Sequence, residues 1–126
     1  MQNSPLHNAT KNENLEMVNL LLANGAKTDL LNDENFTPLN MCVQYNGNVE
    51  IARLLLKKDS SVVNIPDIYQ YTPLHSAAYR GYLEMTKLLL QYGADKYLRT
   101  YNKQTPAQLA RQKNHKELAH YFTSFI

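Results

Sequence analysis

Apolar residues recur along this chain in short runs at helical spacing, and residues 83–90 form the clearest run. Upstream of it, Thr72 and Pro73 are typical of a helix N-terminus, because threonine caps free N–H groups and proline already has a helical φ. Gly81 is expected to end this first helix, and Gly93 the second. The stretch therefore predicts two short helices preceded by a turn.

The same pattern occurs four times. Its motifs are Ser4-Pro5-Leu6-His7, Thr37-Pro38-Leu39-Asn40, Thr72-Pro73-Leu74-His75 and Thr105-Pro106-Ala107-Gln108, which start 33, 35 and 33 residues apart. A triple leucine follows three of them, at residues 20–22, 54–56 and 88–90. Isolated helices of about ten residues are marginal in water. Each helix pair must therefore bury its apolar faces against neighbouring pairs.

The period, the Thr-Pro-Leu-His signature and the Gly-Ala-Asp sequence that closes the third unit are similar to those of the ankyrin repeat family. The resemblance covers nearly the whole chain. It implies an all-α fold: an ankyrin-repeat solenoid of paired antiparallel helices with projecting β-hairpin loops. We expect a single domain over residues 1–126, with repeats at about 1–34, 35–69, 70–102 and 103–126.

The second repeat departs from the pattern in two places. Residues 46–48 lengthen the loop between its helices by one residue, and residues 59–64 add another where the third repeat has Gly-Ala-Asp. Insertions in solenoids fall in loops, so we expect an intact stack with local distortion near Asp59. Asn35 and Asn114 replace glycines of the family pattern, and asparagine tolerates the positive φ of a turn.

The terminal repeats are expected to differ from the internal ones. Capping repeats need a polar outer face, and the first repeat offers Asn3, Asn8, Lys11, Asn12, Asn14 and Asn19. It is either a genuine cap or the first part of a longer array cut here. The fourth repeat loses the motif Leu and His, and we interpret it as a C-terminal cap. The tail, Phe125 and Ile126, is alternatively a small docking surface.

Composition narrows the class of protein. The chain has 126 residues, 44% hydrophobic content and a net charge of +2, with five basic and seven acidic residues up to Val63 and eight and four beyond it. Its single cysteine, Cys42, excludes an internal disulfide and is predicted to be a buried small residue. No apolar stretch approaches the ~20 residues that span a bilayer, and the N-terminus lacks a signal pattern. We expect an intracellular monomer, cytoplasmic or nuclear, that does not bind membranes.

No catalytic, cofactor or metal constellation is found. The resemblance implies structural roles for His7 and His75, held beside the motif hydroxyl and the neighbouring hairpin backbone. His115 and His120 are five residues apart, not the four of a helical metal pair, and are predicted to lie on the surface. The glycines are isolated, so no phosphate-binding loop is expected. We predict a protein that is not an enzyme, with no cofactor and no small-molecule substrate.

The resemblance implies a protein partner bound in the concave groove, with the chain acting as an adaptor, an inhibitor or a targeting subunit. Tyrosine and arginine dominate interface hot spots, and both occur at variable positions here. The predicted partner-binding residues are Phe36, Met41, Tyr45, Ile68, Tyr69, Tyr71, Tyr79, Arg80, Tyr101 and Gln112. At least one tyrosine among Tyr69, Tyr71, Tyr79 and Tyr82 is expected to be structural.

The alternative function is binding of an acidic ligand or a nucleic acid by the basic C-terminal half. Its residues are Arg80, Lys96, Arg99, Lys103, Arg111, Lys113 and Lys116, interleaved with Tyr97 and Tyr101. The net charge is small for nucleic-acid binding. Two lesser alternatives are stacking against upstream repeats and hydroxylation of Asn64, whose context resembles the family's modified site except that Val62 replaces the usual acid.

Overall fold

The computed structural model describes residues 2–124. Within this range the chain forms eight α-helices and one 3₁₀ helix. The α-helices are α1 (Pro5–Lys11), α2 (Leu15–Ala23), α3 (Pro38–Tyr45), α4 (Val49–Lys58), α5 (Pro73–Arg80), α6 (Leu83–Gln91), α7 (Pro106–Gln112) and α8 (Lys116–Ser124), and the 3₁₀ helix is Ser60–Asn64.

The helices stack in two layers. Helices α1, α3, α5 and α7 contact one another in sequence order, and α2, α4 and α6 form a second row behind them. Each first helix also contacts the second helix of its own pair. The predicted all-helical solenoid of helix pairs is confirmed.

The core is a continuous strip between the two layers. The motif leucines Leu6, Leu39 and Leu74 are buried there. The predicted burial of Cys42 is also confirmed, and burial raises the pKa of its thiol to about 12. Because the thiolate is the nucleophilic form, this thiol is inert at neutral pH.

Each first helix begins with a capping box. Ser4, Thr37, Thr72 and Thr105 each accept a hydrogen bond from the backbone N–H three residues on, and the side chain of that residue accepts one from the cap backbone. The helix begins with proline in all four cases. This reciprocal bonding satisfies two of the otherwise free N–H groups of each helix.

The residue that completes the box also ties adjacent repeats together. The Nε2 atom of His75 lies 2.9 Å from the carbonyl oxygen of Leu98, and that of His7 lies 2.8 Å from the carbonyl of Phe36. Since a carbonyl only accepts, Nε2 carries the proton and Nδ1 accepts from the cap N–H. Both rings are therefore held at their two nitrogens, and their predicted structural role is confirmed.

The projecting loops, which we call the first, second and third fingers, lie between α2 and α3, between the 3₁₀ helix and α5, and between α6 and α7. They are turns and contain no strand within residues 2–124. In the second finger the Asp67 N–H donates to the Tyr71 carbonyl at 2.9 Å and the Gln70 N–H to the Asp67 carbonyl at 3.0 Å. One bridging bond per finger is too short a ladder for a β-hairpin. The predicted hairpins are thus reduced to closed turns.

The insertions in the second repeat are absorbed as expected. The loop between α3 and α4 has its extra residue at residues 46–48. The second insertion becomes the 3₁₀ helix, which buries Val62 and Val63 and is capped by the Asp59 carboxylate. Asn64 bonds the backbone of Gly93 and Asp95, so this segment stays tied to the next repeat.

Two rings lie across the loop of the preceding repeat. The Tyr82 ring covers Gly47, and one repeat later the His115 ring covers Gly81. His115 Nε2 also lies 2.8 Å from the Tyr79 carbonyl oxygen. His115 is therefore half-buried rather than fully exposed, and the sequence did not predict its contact with the loop beneath it. His120 is exposed, as predicted.

The outer face of the first repeat combines polar and apolar residues. Its predicted polar side chains are exposed, but so are three apolar ones on α2, namely Leu15, Met17 and Leu20. The predicted docking tail, Phe125 and Ile126, lies outside the described residues. No helix in the described range is long and apolar enough to cross a lipid bilayer.

Stability should depend on the protonation of His75. Burial lowers the pKa of this ring below its ordinary value, against the smaller opposite effects of bonds to Leu98 and Gln104 and the charge of Asp67. Between the lowered pKa and the ordinary value of about 6.5, the unfolded chain binds a proton that the folded chain does not. The contribution of His75 to the free energy of unfolding should therefore be constant above about pH 6.5 and should fall as the pH drops through this window.

The substitution His75→Asn tests this expectation, since Asn40 already fills the same role, with its Nδ2 donating to the Ile65 carbonyl at 3.0 Å. The variant should fold at neutral pH and lose less stability than the wild type between about pH 7 and pH 5. Urea unfolding at several pH values gives the comparison. Equal losses in the two proteins would contradict the assignment to His75.

The contact between Tyr82 and Gly47 should also be measurable. A Cβ atom at Gly47 would lie 2.6 Å from the Tyr82 ring, whereas one at Gly25 would meet nothing within 4 Å. Both glycines have positive φ, so backbone strain is shared by the two alanine variants. We expect Gly47→Ala to lose about 1 to 3 kcal/mol more than Gly25→Ala in urea unfolding. In a Tyr82→Ala background this excess should disappear.

Candidate functional site

An open groove of about 660 Å³ is lined by residues of helices α3 and α5 and of the two fingers that flank α5 in the sequence. Tyrosine is its most frequent lining residue, and we call it the tyrosine groove. Its lining residues are Gln44, Asp67, Tyr69, Tyr71, Ser76, Tyr79, Arg80, Thr100, Tyr101 and Asn102.

Half of the residues predicted to bind a partner lie together in this groove. They are Tyr69, Tyr71, Tyr79, Arg80 and Tyr101. Tyr69 and Tyr101 stand on neighbouring fingers, with 63% and 67% of their surface exposed. The Tyr101 N–H lies 3.5 Å from the Tyr69 carbonyl, so these two fingers stand side by side.

The prediction that Phe36 and Met41 contact a partner is wrong. Only 8% of Phe36 and 1% of Met41 is exposed, so neither offers a contact surface. Phe36 packs edge-on against Tyr45, with ring centroids 6.4 Å apart. Met41 belongs to α3, which packs against α1. Sequence reasoning identified variable positions but not which of them are buried.

Three further predicted residues lie on the surface but outside the groove lining. Tyr45 and Ile68 are 47% and 43% exposed, and the Lys11 ammonium lies 5.0 Å from the Tyr45 ring centroid. Gln112 is exposed, and its side-chain oxygen accepts from Gln104 Nε2 at 2.6 Å.

Tyr71 forms the floor of the tyrosine groove. Its ring centroid lies 5.7 Å from that of His75 and 6.5 Å from that of Tyr79, the latter pair edge to face. Burial raises the pKa of Tyr71, with smaller contributions from Tyr79 and Asp67. Its phenol therefore stays neutral at physiological pH and can donate a hydrogen bond into the groove. Tyr71 joins Tyr82 as a tyrosine with a structural role.

Asp67 was missed by the sequence analysis as a site residue. Its Oδ1 accepts from the backbone N–H groups of Tyr69 at 2.8 Å and Tyr71 at 3.0 Å. An aspartate that bonds the backbone two residues on is the signature of an Asx turn, so the signal was present in the Asp-Ile-Tyr sequence. This carboxylate fixes the finger that carries both tyrosines.

Most basic residues of the alternative function lie outside the lining of the tyrosine groove. Of the seven, only Arg80 lines the tyrosine groove. The Lys113 ammonium lies 4.7 Å from the Tyr79 ring centroid, at the groove's edge, while that of Lys96 lies over Tyr97. A nucleic-acid site needs a concentrated basic surface, whereas the tyrosine groove has one basic lining residue.

The described residues contain no group of three or more His, Cys, Asp or Glu side chains that could hold a metal ion. The His75 ring nitrogens are both occupied by structural hydrogen bonds. The chemistry that the tyrosine groove offers is hydrogen bonding by phenols, aromatic contact and one guanidinium.

Comparison with protein-family models finds a match to ankyrin repeats (3 copies) over residues 6–100 and again over residues 62–125. Together the two matches cover most of the chain.

Several curated proteins are similar to it. A Caenorhabditis elegans transient receptor potential cation channel subfamily A member 1 homolog is 35% identical over 109 residues, 86% of this chain and 9% of that protein. Human ankyrin repeat and SOCS box protein 16 is 38% identical over 105 residues, 83% of this chain and 23% of that protein. A Dictyostelium discoideum 26S proteasome non-ATPase regulatory subunit 10 is 35% identical over 81 residues, 64% and 34% of the two chains. The chain thus spans about a third or less of these relatives.

Three tyrosines of the groove should differ in their contribution to stability. Tyr71→Ala removes ring contacts with His75 and Tyr79 and should lower the free energy of unfolding by about 1 to 3 kcal/mol. Tyr69→Ala and Tyr101→Ala remove mainly exposed surface and should change it by less than about 0.5 kcal/mol. Urea unfolding of the three variants measures these changes in the free energy of unfolding. A large loss at Tyr69 would mean that its ring supports the fold.

Proposed function

The chain belongs to the ankyrin repeat family, whose repeats generally serve as protein–protein interaction modules, and we propose that it binds a partner protein in the tyrosine groove. In this role it is a non-enzymatic adaptor, inhibitor or targeting subunit. The similar proteins include a cation channel homolog, a SOCS box protein and a proteasome regulatory subunit. This variety is expected of a repeat array that serves as a binding module in otherwise different proteins.

The observation that carries the proposal is the convergence of exposed tyrosines. Tyr69, Tyr79 and Tyr101 come from two fingers and one helix, and each exposes more than 40% of its surface in one groove. Folding does not require exposed aromatic rings, because the core is complete without them. Tyrosine gives a large contact area with a hydrogen-bonding end and little loss of conformational entropy.

The backbone contacts of the fingers that carry Tyr69 and Tyr101 also support the proposal. Asp67 fixes the turn that carries Tyr69, and the fingers bearing Tyr69 and Tyr101 touch through their backbones. A preorganised surface pays less entropy on binding than a mobile one. The groove is therefore suited to recognising a partner without rearranging.

The test compares three forms of the chain as baits in an extract of the natural source. They are the wild type, the double variant Tyr69→Ala, Tyr101→Ala, and the control Tyr97→Ala, whose ring is 72% exposed but outside the groove. A partner bound in the groove should be retained by the control and bound about 10- to 100-fold more weakly by the double variant.

Salt dependence separates this proposal from its alternative. Nucleic-acid binding weakens steeply as salt rises, because neutralised phosphates release counterions. Retention of the same partner by the double variant would overturn the groove assignment. Recovery of nucleic acid alone, lost at moderate salt, would favour the basic C-terminal half.

A further inference from the structure

We propose that the occupant of the tyrosine groove is an extended, proline-containing segment of the partner that carries an acidic side chain paired with Arg80. This inference rests on the proposed function and specifies its ligand. Protein segments are recognised in a few recurring ways, by strand addition, by docking of an amphipathic helix or by docking of a polyproline II segment on aromatic rings. The lining of the groove discriminates among them.

Strand addition needs a row of free backbone N–H and C=O groups at a sheet edge. The fingers beside the groove are closed turns whose bridging groups bond one another, as in the 2.9 Å bond from the Asp67 N–H to the Tyr71 carbonyl and the 3.0 Å bond from the Thr100 N–H to the Gln104 carbonyl. The described residues also form no strand. The groove therefore lacks an edge on which a partner strand could pair.

Docking of an amphipathic helix needs an apolar groove that receives aliphatic anchors. The lining of this groove contains no Leu, Ile, Val or Met side chain. The phenols and amides of the lining, once covered by an apolar helix face, would lose their water without gaining hydrogen bonds, which is costly. A helix bonds its own backbone groups internally and leaves few acceptors for these donors.

A polyproline II segment suits the same lining. It makes no internal hydrogen bonds, so its carbonyl groups are free to accept from the phenols of Tyr71 and Tyr79. The rings of these two residues meet at 71°, which forms a notch bounded by a ring face and a ring edge. Proline rings stack on aromatic surfaces of this kind, and the segment pays little entropy because it is already extended.

The charges around the groove select an acidic side chain. Arg80 is exposed, and no acidic group of the described residues forms an ion pair with it. Lys113 adds a second positive charge beside Tyr79. The single carboxylate of the lining, Asp67, directs Oδ1 to two backbone N–H groups. A guanidinium holds a carboxylate through two parallel hydrogen bonds, so Arg80 is the expected anchor.

The experiment selects displayed random dodecapeptides on the full chain, with counter-selection on the double variant Tyr69→Ala, Tyr101→Ala. We expect groove-dependent peptides to share proline and an aspartate or glutamate at a fixed distance from it. A synthetic peptide of the selected sequence is then measured by fluorescence anisotropy. Replacing its proline by alanine, or its acid by lysine, should weaken binding about 10-fold or more.

Charge reversal in the protein gives the sharper test. Arg80→Glu should weaken binding of the acidic peptide and strengthen binding of its lysine-substituted form. The control Arg99→Glu, outside the groove lining, should leave the preference for the acidic peptide unchanged. Groove-dependent peptides without proline or acid, or a preference unmoved by Arg80→Glu, would overturn this inference while the proposed function stands. Peptides that bind the double variant equally well would overturn both.

Discussion

The fold depends on one repeated interaction, the hydrogen bond from the side chain that completes each of the first three capping boxes to a backbone carbonyl of the next finger. His7, Asn40 and His75 each make this bond, over distances of 2.8 to 3.0 Å. Within its repeat the same side chain accepts from the cap N–H. One residue therefore fixes both the start of a helix and the position of the loop that follows, in a buried setting where an unmet bond is costly.

The candidate site is a consequence of that constraint. The bond from His75 holds the third finger at Leu98, and Asp67 shapes the second finger, so Tyr101 and Tyr69 stand together above α5. A second connection comes from the last repeat, where His115 Nε2 forms a hydrogen bond with the Tyr79 carbonyl oxygen. The tyrosine groove is thus held by neighbours on both sides, although most of its own side chains contribute little to the core.

Sequence reasoning predicted the scaffold well because the scaffold is periodic. The caps, the helices and the left-handed turns at Asn35 and Asn114 follow from local rules that repeat along the chain. It predicted the site only in part, because exposure depends on packing between repeats. Met41 and Tyr79 were both variable helical positions, yet 1% of Met41 is exposed while 41% of Tyr79 is exposed in the groove. Ser76, which follows its cap threonine by four residues as Met41 does, is also buried, so exposure follows the position in the repeat rather than the residue type.

The fingers of the groove also depart from what folding alone favours. Gln70 and Lys103 have φ values of 63° and 62°, in the left-handed region that costs an ordinary residue about 1 to 2 kcal/mol. Glu13 has a similar φ, but its carboxylate accepts a bond from Asn48 at 3.1 Å. No side-chain bond compensates Gln70 or Lys103 anywhere in residues 2–124, and glycine or asparagine would fit both turns better. Both fingers that carry Tyr69 and Tyr101 therefore contain a residue in a left-handed turn without a side-chain bond that offsets its cost.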